Sequence, residues 1–193
     1  MIQAIKTKLK NWETYKKDLK AKSLVRYFLV DVVETVVVAL AMALLIRTYI
    51  VQTSLVPTGS MIPTMMVGDR LFVNKFVYFF EKPKRSEIVV FKSPFHDGKD
   101  YVKRCIGLPG ETVQLIDGEL YINGKLTTLP GVNIQNDGAN YGPITVPADS
   151  YFMLGDNRAN SLDSRYWGFV PSQDLLGRAF FTFWPLDRMQ VLR

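Results

Sequence analysis

Residues 32–51 read VVETVVVALAMALLIRTYIV, and the centre of that run, 36–46, carries no polar side chain at all. No other feature constrains the chain as strongly, because such a run must either cross a bilayer or be buried inside a protein. The centre alone is too short to cross, since a spanning helix needs roughly 20 residues at about 1.5 Å each. The full window reaches that length only if Glu34 and Arg47 lie near the two interfaces. There an arginine snorkels outward and the penalty for charge is moderate. The competing assignment is a long amphipathic or core helix, because Asp31, Glu34 and Val38 fall on one helical face.

The flanks favour the membrane. The net charge is +6. Lys6, Lys8, Lys10, Lys16, Lys17, Lys20, Lys22 and Arg26 precede the apolar run, opposed there by Glu13, Asp18 and Asp31, so the leader accounts for nearly all of the excess. The positive-inside rule then predicts a basic cytoplasmic leader at 1–31, an anchor at 32–51 and an extracytoplasmic remainder at 52–193. No small-x-small cleavage site follows Ile46; Arg47, Thr48 and Tyr49 come next, so the segment reads as an uncleaved anchor. The near-neutral remainder argues against a nucleic-acid-binding face.

Beyond Val51 the pattern changes to short runs rich in β-branched and aromatic residues, at 71–78, 87–92, 101–106, 112–116, 119–122, 144–146, 151–154 and 178–184. Between them stand Asp97-Gly98, Pro109-Gly110, Asp117-Gly118, Asn123-Gly124 and Asp137-Gly138. Asp-Gly and Asn-Gly supply the positive φ angles of tight hairpin turns, which predicts a mostly β, antiparallel domain. Residues 126–141 have the least pattern and read as a surface loop or insertion.

The chain holds one cysteine, Cys105, and one histidine, His96. That count excludes an intrachain disulfide and any Cys/His metal site. A Ser-His-Asp triad could use only His96, which sits in the turn-like Pro94-Phe95-His96-Asp97-Gly98. A hydrolase built on this chain therefore needs another base.

Two segments offer one. In Pro57-Thr58-Gly59-Ser60-Met61-Ile62-Pro63-Thr64 a serine follows glycine between prolines, held in a rigid loop that a peptide backbone can approach. In Tyr101-Val102-Lys103-Arg104-Cys105-Ile106-Gly107-Leu108-Pro109-Gly110, strand alternation puts Lys103 on the face of Tyr101 and Cys105 and Arg104 on the other. A lysine on a strand is usually a surface residue. Buried, it would lose much of its preference for the charged form, and its neutral amine could accept a serine proton near neutral pH.

With these two segments on the page, four ordered motifs become specific. Ser60-Met61-x-Pro63-Thr64, Gly68-Asp69-x-x-x-Val73, Lys103-Arg104-x-x-Gly107-x-Pro109-Gly110 and Gly155-Asp156-Asn157-Arg158-x-x-Ser161-x-Asp163-Ser164-Arg165 together resemble the motif set of type I signal peptidases. The third motif of that family usually ends in aspartate, where Glu111 keeps the charge. The single apolar segment and short domain are most similar to its minimal, Gram-positive-like branch. The resemblance implies an antiparallel β-sheet domain of signal peptidase type with one N-terminal transmembrane helix. It implies Ser60 as acylated nucleophile, Lys103 as general base, and Thr58 with the Ser60 N–H as the oxyanion hole. Ser161 would orient the lysine amine, Asp156 would pair with Arg104, and Asp163 with Arg165. Val56, Met61, Met65, Tyr101 and Val102 flank the catalytic motifs and are the expected apolar walls for small residues at the first and third positions before the cut. The expected partners are signal peptides of exported preproteins and the lipid bilayer, the aromatic run 71–80 dipping into its surface. No metal, nucleotide or nucleic acid is implied. Two rivals share features of the pattern: a self-cleaving repressor-type serine–lysine protease, and a catalytically silent, membrane-tethered binding homologue.

Overall fold

The computed structural model describes residues 2–45, 47 and 51–192. It divides into two compact units, Met1–Arg47 and Thr48–Arg193.

The first unit is helical. Helix α1 (Ile2–Lys22) carries the lysine-rich leader, and α2 (Leu24–Leu45) the apolar run. Within α2 the stretch Leu24–Leu44, of mean hydropathy 2.1, is long and apolar enough to cross a bilayer. It begins at Leu24 rather than Val32, because Val25, Tyr27, Phe28, Leu29 and Val30 extend the apolar surface towards the amino terminus. Positions 46 and 48–50 of the expected anchor lie outside the described residues. Lys16 of α1 donates to Asp31 at 2.8 Å and to Glu34 at 2.7 Å. An apolar helix that contains two carboxylates thus has an ammonium beside both, which reduces the cost of carrying them.

The second unit is built from twelve described strands. In chain order these are β1 (Val51–Leu55), β2 (Arg70–Asn74), β3 (Ile88–Lys92), β4 (Asp100–Gly107), β5 (Thr112–Ile116) and β6 (Glu119–Ile122). Then come β7 (Lys125–Leu126), β8 (Tyr141–Thr145), β9 (Ser150–Leu154), β10 (Val170–Pro171), β11 (Leu175–Trp184) and β12 (Gln190–Val191). The larger sheet runs β1-β2-β11-β3-β4-β9-β10 with β12 against β11, and the smaller runs β7-β6-β5-β8. Every strand pair is antiparallel. The one helix of this unit among the described residues, apart from single 3-10 turns, is the short α3 (Ser164–Trp167).

The turns follow from the dipeptides that announced them. Asp117 and Gly118 join β5 to β6, and Asn123 and Gly124 join β6 to β7, all four with positive φ, as a two-residue hairpin requires. Gly107 is a different case, with a packing reason. A Cβ there would stand 2.5–2.9 Å from Val113, Phe152 and Val146, so the smaller sheet closes on β4 only because that residue has no side chain. The contact seals a core of Ile106, Val113, Leu115, Leu120, Ile122, Val146, Phe152 and Leu154.

One expected strand is cut short. The run 71–78 leaves the sheet at Asn74, whose side-chain oxygen accepts from the N–H groups of Phe76 at 2.9 Å and Val77 at 3.1 Å. This local bond competes with the ladder and turns the chain into a 3-10 turn, Val77–Phe79. Phe79 and Phe80 are left 77% and 74% exposed. Strand β1 and the short β7, β10 and β12 were not legible from pattern, since two residues or a boundary position carry no period.

Candidate active site

The loop that carries Ser60 is tied at its stem. Val56 N donates to Asp69 O at 2.9 Å and Gly68 N to Val56 O at 2.9 Å, so the chain leaves β1 and returns to β2 through one closed loop. Buried Asp69 holds that stem: its carboxylate accepts from Met66 N at 2.8 Å and from the Arg188 guanidinium at 2.7 Å. Within the loop, Gly59–Met61 forms a 3-10 turn that turns Ser60 inward, 7% exposed.

Lys103 comes from the middle of β4, between β3 and the end of β9, and is 4% exposed. Its Nζ is hydrogen bonded to Ser60 Oγ at 2.6 Å. Burial pulls the amine from its ordinary pKa near 10.5 down to about 8, against the opposing pull of the Asp163 and Asp156 carboxylates. A neutral amine within hydrogen-bond reach of a serine hydroxyl can take its proton. Thr58 Oγ1 lies 3.3 Å from Ser60 Oγ, at the same mouth.

The last motif encloses these groups. Gly155 packs directly on them: a Cβ there would collide with the Ser60 carbonyl oxygen and with Ser161 Oγ. Asn157 N donates to Ser60 O at 3.1 Å. Behind the strand, Arg104 meets Asp156 through two bonds, Nε to Oδ1 at 2.8 Å and Nη2 to Oδ2 at 2.6 Å, and Thr64 Oγ1 donates to the same carboxylate at 2.5 Å. Asp163 caps α3, accepts from Gly155 N at 3.1 Å and pairs with Arg165 Nε at 2.8 Å. Carboxylate contacts with Asp163 and Asp137 raise the Arg165 pKa further above its ordinary value.

A cleft of about 640 Å³ opens onto the pair, lined by residues 55–61 on one side and 99–103 on the other, with Asn160 and Leu162. Lys103 is part of that lining, whereas His96 sits exposed in its turn, φ +54°, and does not line the cleft.

A protein-family model for "signal peptidase, peptidase S26" matches residues 29–184. The chain belongs to this family. It is 44% identical over 166 residues to a probable signal peptidase I-2 of Synechocystis, an alignment covering 82% of this chain and 75% of that one. It is 41% identical over 173 residues to signal peptidase I T of Bacillus subtilis, covering 81% and 86%. A crystal structure of a signal peptidase I from Enterococcus faecalis, 39% identical, superposes on 51% of this chain and 97% of that one with a TM-score of 0.45.

In this signal peptidase the structure gathers Ser60, Lys103, Thr58, Val56, Met61, Tyr101 and Val102 around one cleft. Met65 is not among them. It is 0% exposed and packs in the core with Leu71, Val73 and Val90, because the chain has already turned away from the cleft after Met61. Ser161 is present but makes no bond to the Lys103 amine. Its hydroxyl is buried against Gly155 and, among the described residues, has no hydrogen-bond partner. Leu55 and Leu162 are cleft residues that sequence reasoning missed; Leu55 lies one position beyond the readable loop, and Leu162 is an unmarked position inside the last motif. Thr64 was read as part of a motif without a task, which its bond to Asp156 supplies.

Proposed function

We propose that this signal peptidase removes signal peptides by a serine–lysine mechanism, with Ser60 as nucleophile and Lys103 as general base. The observation that carries the reading is the 2.6 Å contact between a buried lysine amine and a serine oxygen in the lining of a largely apolar cleft. The neutral amine takes the Ser60 proton as Oγ attacks the scissile carbonyl carbon. The resulting oxyanion is met by the Ser60 N–H and the Thr58 hydroxyl, donors aimed where charge develops. The ammonium of Lys103 returns its proton to the leaving amine, the mature protein departs, and an acyl-Ser60 ester remains. Lys103, neutral again, deprotonates a water that hydrolyses the ester and restores both groups.

Leu55, Val56, Met61, Tyr101 and Val102 give this cleft shallow apolar walls suited to small residues before the cut. The family is membrane-anchored, and one helix of this chain, Leu24–Leu44, is apolar enough to serve. The finer topology belongs to the same proposal. The lysines of residues 1–31 stay in the cytoplasm and the β domain works outside it. Exposed Phe76, Phe79 and Phe80 suit the bilayer surface, where signal peptides are met.

Cleavage of a preprotein in detergent tests the reading. Ser60→Ala and Lys103→Ala are each expected to abolish it, whereas His96→Ala is expected to leave it nearly unchanged. A hundredfold loss in His96→Ala, with the fold intact by circular dichroism, would overturn the assignment.

A further inference from the structure

We propose that Asn157 is a positioning residue that aims the Ser60 N–H into the oxyanion hole. This rests on the reading of Ser60 as nucleophile. Asn157 grips both peptide units that flank the Ser60 Cα. Its side-chain Nδ2 donates to Gly59 O at 3.2 Å, and its backbone N–H donates to Ser60 O at 3.1 Å. The Gly59 carbonyl and the Ser60 N–H belong to one planar trans peptide and therefore point in opposite directions. Holding that carbonyl from the side of the last motif sets the direction of the N–H on the other side.

The carbonyl also accepts from Ile62 N at 3.2 Å, but that bond lies within the turn itself and follows its movements. Asn157 supplies the reference point outside the loop. Two bonds to one carbonyl also polarise the peptide and make its N–H a stronger donor. Asn157 is itself braced. Gln135 N donates to Asp156 O at 2.8 Å and Arg158 N to Gln135 O at 2.9 Å, a parallel bridge on either side of Asn157. The segment 126–141, expected as a surface loop, thus reaches the catalytic motif through Gln135.

The test uses the full chain in detergent with a preprotein-derived peptide. Asn157→Ala and the isosteric Asn157→Asp remove the Nδ2 donor and keep the backbone N–H. Both are expected to lower kcat about 3- to 10-fold, the range for one neutral hydrogen bond, with KM within twofold of the parent. A peptide aldehyde, which adds Ser60 Oγ to give a tetrahedral oxygen in the hole, should bind more weakly by a similar factor. An uncleavable reduced-bond peptide should bind as before. Combination with Thr58→Val is expected to cost less than the product of the single losses, because both act on one oxygen. A parent-like kcat in Asn157→Asp, or equal losses for the aldehyde and the reduced-bond peptide, overturns the inference. If Asn157→Ala does not fold, Asn157→Asp alone carries the test. Ser60→Ala run alongside separates the two failures. Activity there removes the nucleophile assignment, whereas a dead Ser60→Ala beside a parent-like Asn157→Asp removes only the role of Asn157.

Discussion

Lys103 and Arg104 are consecutive on β4, 4% and 1% exposed, and their charges are handled in opposite ways. The ammonium faces Ser60 with no carboxylate in contact, and burial draws its pKa down to about 8. The guanidinium turns to the other face and is met twice by Asp156. Strand alternation alone separates them. A buried amine of lowered pKa and a permanent cation therefore sit side by side on one strand, and several consequences can be measured.

The activity of this enzyme should follow the neutral form of Lys103. Below about pH 8 the amine is protonated and cannot accept the serine proton; above it the base is free. A plot of kcat/KM against pH is expected to rise through an apparent pKa near 8. Lys103→Arg is expected to be inactive at every pH, because a guanidinium stays protonated. A profile flat from pH 6 to 10, or an active arginine variant, would remove lysine from the role of base.

The same burial should cost stability. The unfolded chain holds the Lys103 proton up to about pH 10.5, whereas the folded chain holds it only below about 8. The folded state therefore binds fewer protons between those values, so the penalty is fully present and constant below about pH 8 and is relieved as pH rises across that window. Lys103→Met, inactive in cleavage, is expected to raise the unfolding free energy at pH 7 by about 1–3 kcal/mol, a gain that fades above pH 10. Denaturant titration at the two pH values checks it; a variant less stable than the parent at pH 7 would contradict the argument.

Thr58→Val is expected to lower kcat by about 10- to 10³-fold with little change in KM, because an oxyanion donor acts on the transition state. Thr58→Ser should keep most of the activity. Steady-state kinetics decide it, and a parent-like valine variant would take the hydroxyl at 3.3 Å from Ser60 Oγ out of the oxyanion hole.

Breaking the pair behind the strand should act on folding first. Asp156→Ala takes the carboxylate away from the buried Arg104 guanidinium and the Thr64 hydroxyl, and is expected to cost about 3–5 kcal/mol. The double change Arg104→Met with Asp156→Leu is expected to recover most of it, since the charge is no longer left alone. Thermal melts of the three proteins compare these outcomes, and an Asp156→Ala protein as stable as the parent would exclude the pair as a determinant of the fold.

Protease added to intact spheroplasts is expected to digest the chain beyond residue 51, if the proposed orientation with the basic leader in the cytoplasm holds. Full protection until lysis would reverse the orientation.

Local chemistry wrote much of this protein openly. Asp117-Gly118 and Asn123-Gly124 fixed two hairpins because positive φ is a property of those residues themselves, and the alternation around Lys103 fixed which face it occupies. The lysine-rich leader and the apolar run were equally plain, because charge and hydropathy need no fold to be read. The motifs around Ser60 and Lys103 pointed to the family and singled out both residues, yet their meeting was decided elsewhere. Only the order β3-β4-β9 and the closed loop between β1 and β2 bring two atoms 43 residues apart to hydrogen-bond distance and bury the Lys103 amine. Met65 inside the core, the Ser161 hydroxyl without a hydrogen-bond partner among the described residues and Gln135 bridged to the last motif were likewise settled by packing between distant segments. Sequence neighbours determine conformation through φ, ψ and period. Burial, and with it the pKa of Lys103, depends on which remote atoms displace water, and that is a property of the tertiary structure.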